Sequence, residues 1–410
     1  MIKFKDSILA HLIISASPGG YKIFLLAAVG YLGSSTTQGE IANELAIISF
    51  LSLLTSIGTG ILLIHIVPKS PCEAAHANAI FKGILIKSIP HILLVCLTLV
   101  VINHTAVKIN SIPSLAAALL FTTSIYWLLR HLQIARKNTD QAIRTEASIW
   151  ILTITGLTIS SNYYETTTES TIIVVVFSYL IAIAGPIIKI LQAKTDFNTR
   201  FYKESILISF SNLSSGGLMF LAPSIAFHFG SAATAGLVGI MTNSLAISLA
   251  GIRAYLNKVI PNISNLISQK KHDSSKNLST ISQKKVNKFL ALSGIAALPF
   301  LYLISSHTQP TTSTTEIAIL SILVTAFCLT PQLSAIDSII ANYYSKSGQV
   351  LVINTLHAAA VIITTIAYEL TNPATNKTTE IFLLSSTALY IVRNIAIKKC
   401  VKQSIPKNHS

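Results

Sequence analysis

Acidic side chains are scarce in this chain, which carries 15 Asp and Glu in 410 residues against 30 Lys and Arg. Charge of either sign is rare, at 11% of residues, where a soluble domain carries about 25%. Hydrophobic residues make up 51% and the mean hydropathy is +0.63. So little charge excludes a soluble globular enzyme. Cysteine is also sparse, and Cys72, Cys96, Cys328 and Cys400 share no CxxC or Cys/His spacing. Neither a disulfide framework nor a metal site follows from them. No nucleotide-binding P-loop is present, which argues against direct ATP coupling.

What is abundant is long apolar runs. About 20 apolar residues span the ~30 Å hydrocarbon core as a helix. The chain divides into twelve such candidates, roughly 7–32, 41–67, 79–102, 112–131, 147–160, 171–191, 205–229, 235–256, 289–305, 317–343, 350–367 and 381–397. The fifth is the weakest, being short and Thr-rich. Lys3 and Lys5 precede an apolar stretch with no small-residue cleavage pattern, so the first helix is expected to be retained.

Basic residues collect on cytoplasmic loops of polytopic proteins. With the N-terminus inside, nearly every Lys and Arg, including Arg130 and Arg393, sorts to the cytoplasmic side. Lys108 and Lys377 alone sort outside. The expectation is therefore an all-α protein of twelve transmembrane helices with both termini cytoplasmic and no nucleic-acid partner. The basic stretch of Lys270, Lys271, Lys276, Lys284, Lys285 and Lys288 reads as a cytoplasmic loop resting on anionic headgroups.

Shifting the chain by about half its length exposes an internal repeat. Ser7-Ile8-Leu9 matches Ser205-Ile206-Leu207, and Ser15 to Gly19 answers Leu213 to Gly217. Gly33-Ser34-Ser35-Thr36-Thr37-Gln38-Gly39 matches Gly230-Ser231-Ala232-Ala233-Thr234-Ala235-Gly236. The second spans of both halves end in Pro-containing exits, Val67-Pro68-Lys69-Ser70 and Ile260-Pro261-Asn262-Ile263-Ser264. The offset covers six helices, an even number, so the halves share one orientation as a parallel repeat. Six-helix units over 1–197 and 198–410 follow, and paired units of this kind commonly rock about a central cavity.

With these features the chain resembles the MOP superfamily of flippases and, within it, the Wzx-type O-antigen and polysaccharide translocases. The resemblance rests on Ser56-Ile57-Gly58-Thr59-Gly60-Ile61, on Leu128-Leu129-Arg130-His131-Leu132-Gln133-Ile134-Ala135-Arg136, on Ile260-Pro261-Asn262-Ile263-Ser264-Asn265-Leu266 and on the basic loop from Ser268 to Lys288. It implies a MATE-like V of two bundles, with the first, second, seventh and eighth helices lining a cleft. It also implies a non-enzymatic function: moving an undecaprenyl-pyrophosphate-linked oligosaccharide from the cytoplasmic to the periplasmic leaflet of the bacterial inner membrane. Other polysaccharide-assembly proteins are candidate partners.

Ionisable residues at membrane depth cost about 2.5 to 3.5 kcal/mol each unless they face protein, water or ligand. A pyrophosphate crossing the membrane needs fixed cations, so Lys22, Arg253 and Lys87 are the candidate substrate-binding residues. Each could instead snorkel to an interface. Snorkelling is the better reading for Lys87, the cleft is the better one for Lys22, and the two balance for Arg253. Asp337 is a candidate counter-ion or proton- or sodium-coupling site, and Glu44 a second coupling candidate. Pro18, Gly19, Gly216 and Gly217, at mid-helix in both halves, are candidate hinges, with close packing as the alternative. The competing functions are a cation-coupled small-molecule exporter of the MATE type and a polytopic O-antigen polymerase or ligase. The near absence of external Arg speaks against the last.

Overall fold

In the computed structural model the described residues are 8–60, 63, 74–105, 112–136, 138–192, 200–269, 271–308, 312–343, 347–372 and 377–404. They contain no strand. The N-terminal half has α1 (Ile8–Leu32), α2 (Ser35–Ser52, continued by a π-helical turn over Leu53–Ile57), α3 (Ala74–Thr105), α4 (Pro113–Ala135), α5 (Thr139–Tyr163) and α6 (Thr168–Leu191). The C-terminal half has α7 (Arg200–Phe229), α8 (Ala232–Ser248) running on into α9 (Ala250–Ser268), α10 (His272–Thr308) and α11 (Thr314–Leu329). A 3-10 turn (Thr330–Ser334) joins α11 to α12 (Ala335–Tyr343), and α13 (Ser347–Thr371) and α14 (Thr378–Ser404) complete the fold.

Counting α8 with α9 and α11 with α12 as single rods, the described residues of each half form six. Ten of the helical segments are long and apolar enough to cross a membrane, making this a multi-pass membrane protein. The rods outside that set are α5 and α7, although α7 includes the shorter apolar piece Gly216–Phe229. In α5 the first turns carry Asp140, Arg144 and Glu146, and the helix folds because one face is buried. Ala142, Thr145, Glu146, Ile149, Thr153 and Leu157 recur at helical spacing along it.

The repeat seen in the sequence is present in the backbone. Ser34 caps α2 with φ −142° and ψ 165°, accepting from the Thr37 amide at 3.1 Å. Ser231 caps α8 with φ −140° and ψ 161°, accepting from the Thr234 amide at 3.1 Å. Each serine satisfies an amide that the first helical turn leaves without a partner. Of the two Pro-containing exits, Pro261 lies within α9, whereas Val67 to Ser70 falls outside the described residues.

The halves meet through α1 and α2 on one side and α7 and α8 on the other, with α2 against α8 the most extensive pairing. At the N-terminal ends of α2 and α8 the backbones nearly touch. A methyl group on Gly39 would collide with the Ala232 carbonyl, and one on Gly236 would sit 2.7 Å from Gln38 Oε1. Further along, the pair diverges: the π turn packs on α7, while α9 turns to α1, α10 and α12.

The stretch from Ser268 to Lys288 is not the loop expected from its charge. It is largely the first half of α10, whose 37 residues reach about 55 Å, some 25 Å more than the hydrocarbon core. Ser275, Ser279, Ser282, Val286 and Leu290 form its buried face, while Lys276, Lys284, Lys285 and Lys288 are exposed. Lys270 lies outside the described residues.

Candidate functional site between the halves

Lys22 projects from α1 towards the junction. Its ammonium donates to Ser49 Oγ of α2 at 2.5 Å and sits 5.7 Å from the ring centroid of Phe220 in α7, so it touches both halves. Its polar partner is a hydroxyl and not a carboxylate.

Arg253, on α9, is solvent-exposed although its neighbour Ile252 is buried in the core of the C-terminal half. Among the described residues its guanidinium makes no hydrogen bond or ion pair. The charge within its electrostatic reach is Arg130, which belongs to the other half. Arg253 therefore lies on α9, beyond the stretch where α8 packs on α2, and within reach of the other half.

The remaining candidates are placed differently. Lys87 is half-buried on α3, which packs against α4, α6 and the π turn within the N-terminal half. Asp337, half-buried on α12, lies within electrostatic reach of Lys398 on α14, and no ion pair joins it to Lys22 or Arg253. Glu44 is fully buried in α2.

Gly19 and Gly217 occupy equivalent places on α1 and α7. A methyl group on Gly19 would lie 3.0 Å from Ile247 Cγ1 of α8, and one on Gly217 would lie 2.8 Å from Phe50 Cε2 of α2. Phe50 and Ile247 are themselves matched by the repeat, so one contact is made twice. Gly216 has open space around its Cα.

Sequence reasoning missed a second polar centre inside the N-terminal half. Arg130 of α4 pairs with Glu146 of α5, Nε to Oε1 at 3.0 Å, and both are buried. Tyr126 donates a short hydrogen bond to the same carboxylate oxygen, and Ser17 Oγ donates to Oε2 at 2.9 Å. Trp150 Nε1 donates in turn to Ser17 Oγ at 3.2 Å. Arg130 Nη2 donates to the Ile14 carbonyl at 2.5 Å. Proline cannot donate to the carbonyl four residues earlier. Pro18 therefore frees the Ile14 carbonyl, and Arg130 satisfies it.

The sequence sorts Arg130 and Arg393 to the cytoplasmic side, within the fourth and twelfth candidate spans; in the structure both are buried within helices. Arg393 of α14 donates to Asn354 Oδ1 at 2.6 Å and Asn394 Oδ1 at 3.1 Å, and its Cζ lies 5.7 Å from the Tyr390 ring centroid. The ring of His357 stacks on Tyr390 at 4.1 Å. In Arg130 the available signal was a Pro four residues after a carbonyl on one helix and an Arg on another, which no local pattern links.

No protein-family profile matches the chain, and no curated protein matches it in sequence. Solved structures do. An inward-facing multidrug-resistance MATE transporter of the MOP superfamily aligns with TM-score 0.60 at 11% identity, over 97% of this chain and 99% of that one. A mutant MATE transporter of Vibrio cholerae aligns with TM-score 0.57 at 14% identity, over 96% and 94% of the two chains. A MOP-superfamily transporter from Pyrococcus furiosus, described as having a binding pocket of reversed polarity, aligns with TM-score 0.55 at 10% identity, over 98% and 95%. The chain thus has, over nearly its whole length, the fold of the MATE transporters of the MOP superfamily.

Proposed function

We propose that this protein is a flippase that carries an undecaprenyl-pyrophosphate-linked oligosaccharide from the cytoplasmic to the periplasmic leaflet of a bacterial inner membrane. In this reading all twelve rods span the bilayer, both termini are cytoplasmic, and units 1–197 and 198–410 rock against each other. The glycine seam of α2 and α8 then lies at the periplasmic end, and the close approach of Gly58 to Ser209 of α7 lies towards the cytoplasmic one.

One observation carries the choice of an anionic cargo. Lys22 and Arg253 lie near the junction of the halves, and among the described residues no carboxylate pairs with either. An uncompensated cation at membrane depth is costly unless a ligand completes it. Arg253 supplies a planar fork suited to a phosphate, and Lys22 a point charge.

A second reading, a cation-coupled exporter of small molecules, is favoured by the buried Glu146 carboxylate and by the multidrug transporters among the structural neighbours. Deleting the gene in its host separates the two. The flippase reading expects lipid-linked oligosaccharide to accumulate on the cytoplasmic side while surface polysaccharide is lost. Unchanged surface polysaccharide would overturn it. In complementation, Lys22→Ala and Arg253→Ala should each restore less polysaccharide at normal expression, and full restoration by both would remove the cationic cleft from the mechanism.

A further inference from the structure

A cavity of about 660 Å³ lies wholly inside the N-terminal half, apart from the space between the halves. It opens at the end of the bundle where α4 passes into α5 and where α6 finishes, which is the end opposite the Gly39 and Gly236 seam. Three cations from three helix ends ring it: Arg136 after α4, Arg144 on α5 and Lys189 on α6. Asp140 is the one acidic residue in its lining.

Arg136 is held in place by a hydrogen bond from Nη1 to Asn78 Oδ1 at 2.8 Å. Partial burial lowers its pKa from the ordinary guanidinium value by desolvating the charge. Arg144 and Lys189 are exposed. The deeper lining mixes the apolar Leu129, Leu132, Ala182 and Pro186 with the uncharged polar Gln133, Thr145 and Ser148. The spans end at Ala135 and Leu191, which sets the cations near the ends of the helices, at headgroup depth, and the mixed lining deeper.

A net positive mouth at headgroup depth, above a lining that includes Leu129, Leu132, Ala182 and Pro186, matches the phosphate end of an amphiphile. The volume falls in the range of pockets that enclose whole ligands and far exceeds a phosphate ion. We propose that this pocket binds the phosphate end of an anionic lipid, with Arg136, Arg144 and Lys189 as the phosphate ligands. Its cations are distinct from Lys22 and Arg253, so this site does not rest on the flippase reading.

The test uses the purified full-length protein in neutral nanodiscs. Three probes are titrated: short-chain phosphatidic acid, farnesyl diphosphate and inorganic pyrophosphate. Each cation near a surface contributes about 1 kcal/mol to binding an anionic lipid. Arg144→Gln/Lys189→Gln should therefore weaken the lipid phosphates about 30-fold. Arg144→Lys/Lys189→Arg should retain most of the binding.

Lys284→Gln/Lys285→Gln on α10 removes the same charge from an exposed face elsewhere and should leave binding unchanged. Pyrophosphate binding as tightly as farnesyl diphosphate would overturn the lipid assignment in favour of a soluble-anion site. Equal loss in the α10 variant, or no binding by any probe, would overturn the site altogether.

Discussion

Replacing Glu146 by Gln should destabilise the protein more than removing Glu146 and Arg130 together. The carboxylate accepts from Arg130, Ser17 and Tyr126 and is the counter-charge to a guanidinium buried to 8% relative exposure. Removing one partner of a buried pair costs about 3–5 kcal/mol, chiefly by leaving the other charge uncompensated. In the double variant Glu146→Gln/Arg130→Met no charge is stranded. The remaining loss is the Ile14 carbonyl, which Pro18 cannot satisfy, at about 1–3 kcal/mol for an unsatisfied buried group.

The order is thus inverted, with the double variant the more stable by about 2 kcal/mol. Unfolding by SDS in mixed micelles reads it, and the chain supplies its own probes. Both of its tryptophans flank the network: Trp127, whose ring lies 4.9 Å from Arg130 Cζ, and Trp150, bonded to Ser17. A Glu146→Gln variant within about 0.5 kcal/mol of the parent would refute the reasoning. So would a double variant that costs as much as the two single losses added together.

Gly39→Ala should cost about 1–3 kcal/mol by overpacking against the Ala232 carbonyl, measured in the same unfolding titration. Gly216→Ala, with open space around it, should instead stabilise by up to about 1 kcal/mol through a less flexible unfolded chain, and should slow transport if that position bends. Arg393→Ala should cost about 2–4 kcal/mol, since Asn354 and Asn394 lose a charged donor in a buried setting, whereas Arg393→Lys should recover part of it.

The all-helical, many-span character of the chain and the matched starts of α2 and α8 were legible because they depend on patterns that run along the chain. Ser34 and Ser231 could be matched by eye, and the structure gives them the same cap. Two things were not legible, for one physical reason: the sequence shows where charge lies but not what it packs against. Arg130 and Arg393 sit near the ends of apolar runs, where charge alone reads as marking the cytoplasmic side, yet partners on other helices bury them. Conversely, the lysines before Phe289 suggested a loop. A serine face repeating every three or four residues buries itself against neighbours and keeps those lysines on a helix.

Glu146 was overlooked because it stands just before a short Thr-rich apolar run, and only the burial of one face of α5 extends the helix back to include it. The cleft candidates are placed differently. Lys22 and Arg253 come to the junction of the halves, whereas Lys87 and Asp337 stand among neighbours in their own halves.

Gly19 against Ile247 and Gly217 against Phe50 are one contact copied by the repeat. Two points fix a line. Bodies touching closely at two such points can turn about the line between them but resist sliding past each other, because a shift along either helix drives a side chain into backbone. In the proposed rocking motion the duplication favours a turn about that line, in which closing one end requires the contacts at the other, Gly39 on Ala232 or Gly58 on Ser209, to part. A substitution at only one of the two glycines would tilt that line instead of blocking it, leaving the halves to turn about a skewed axis.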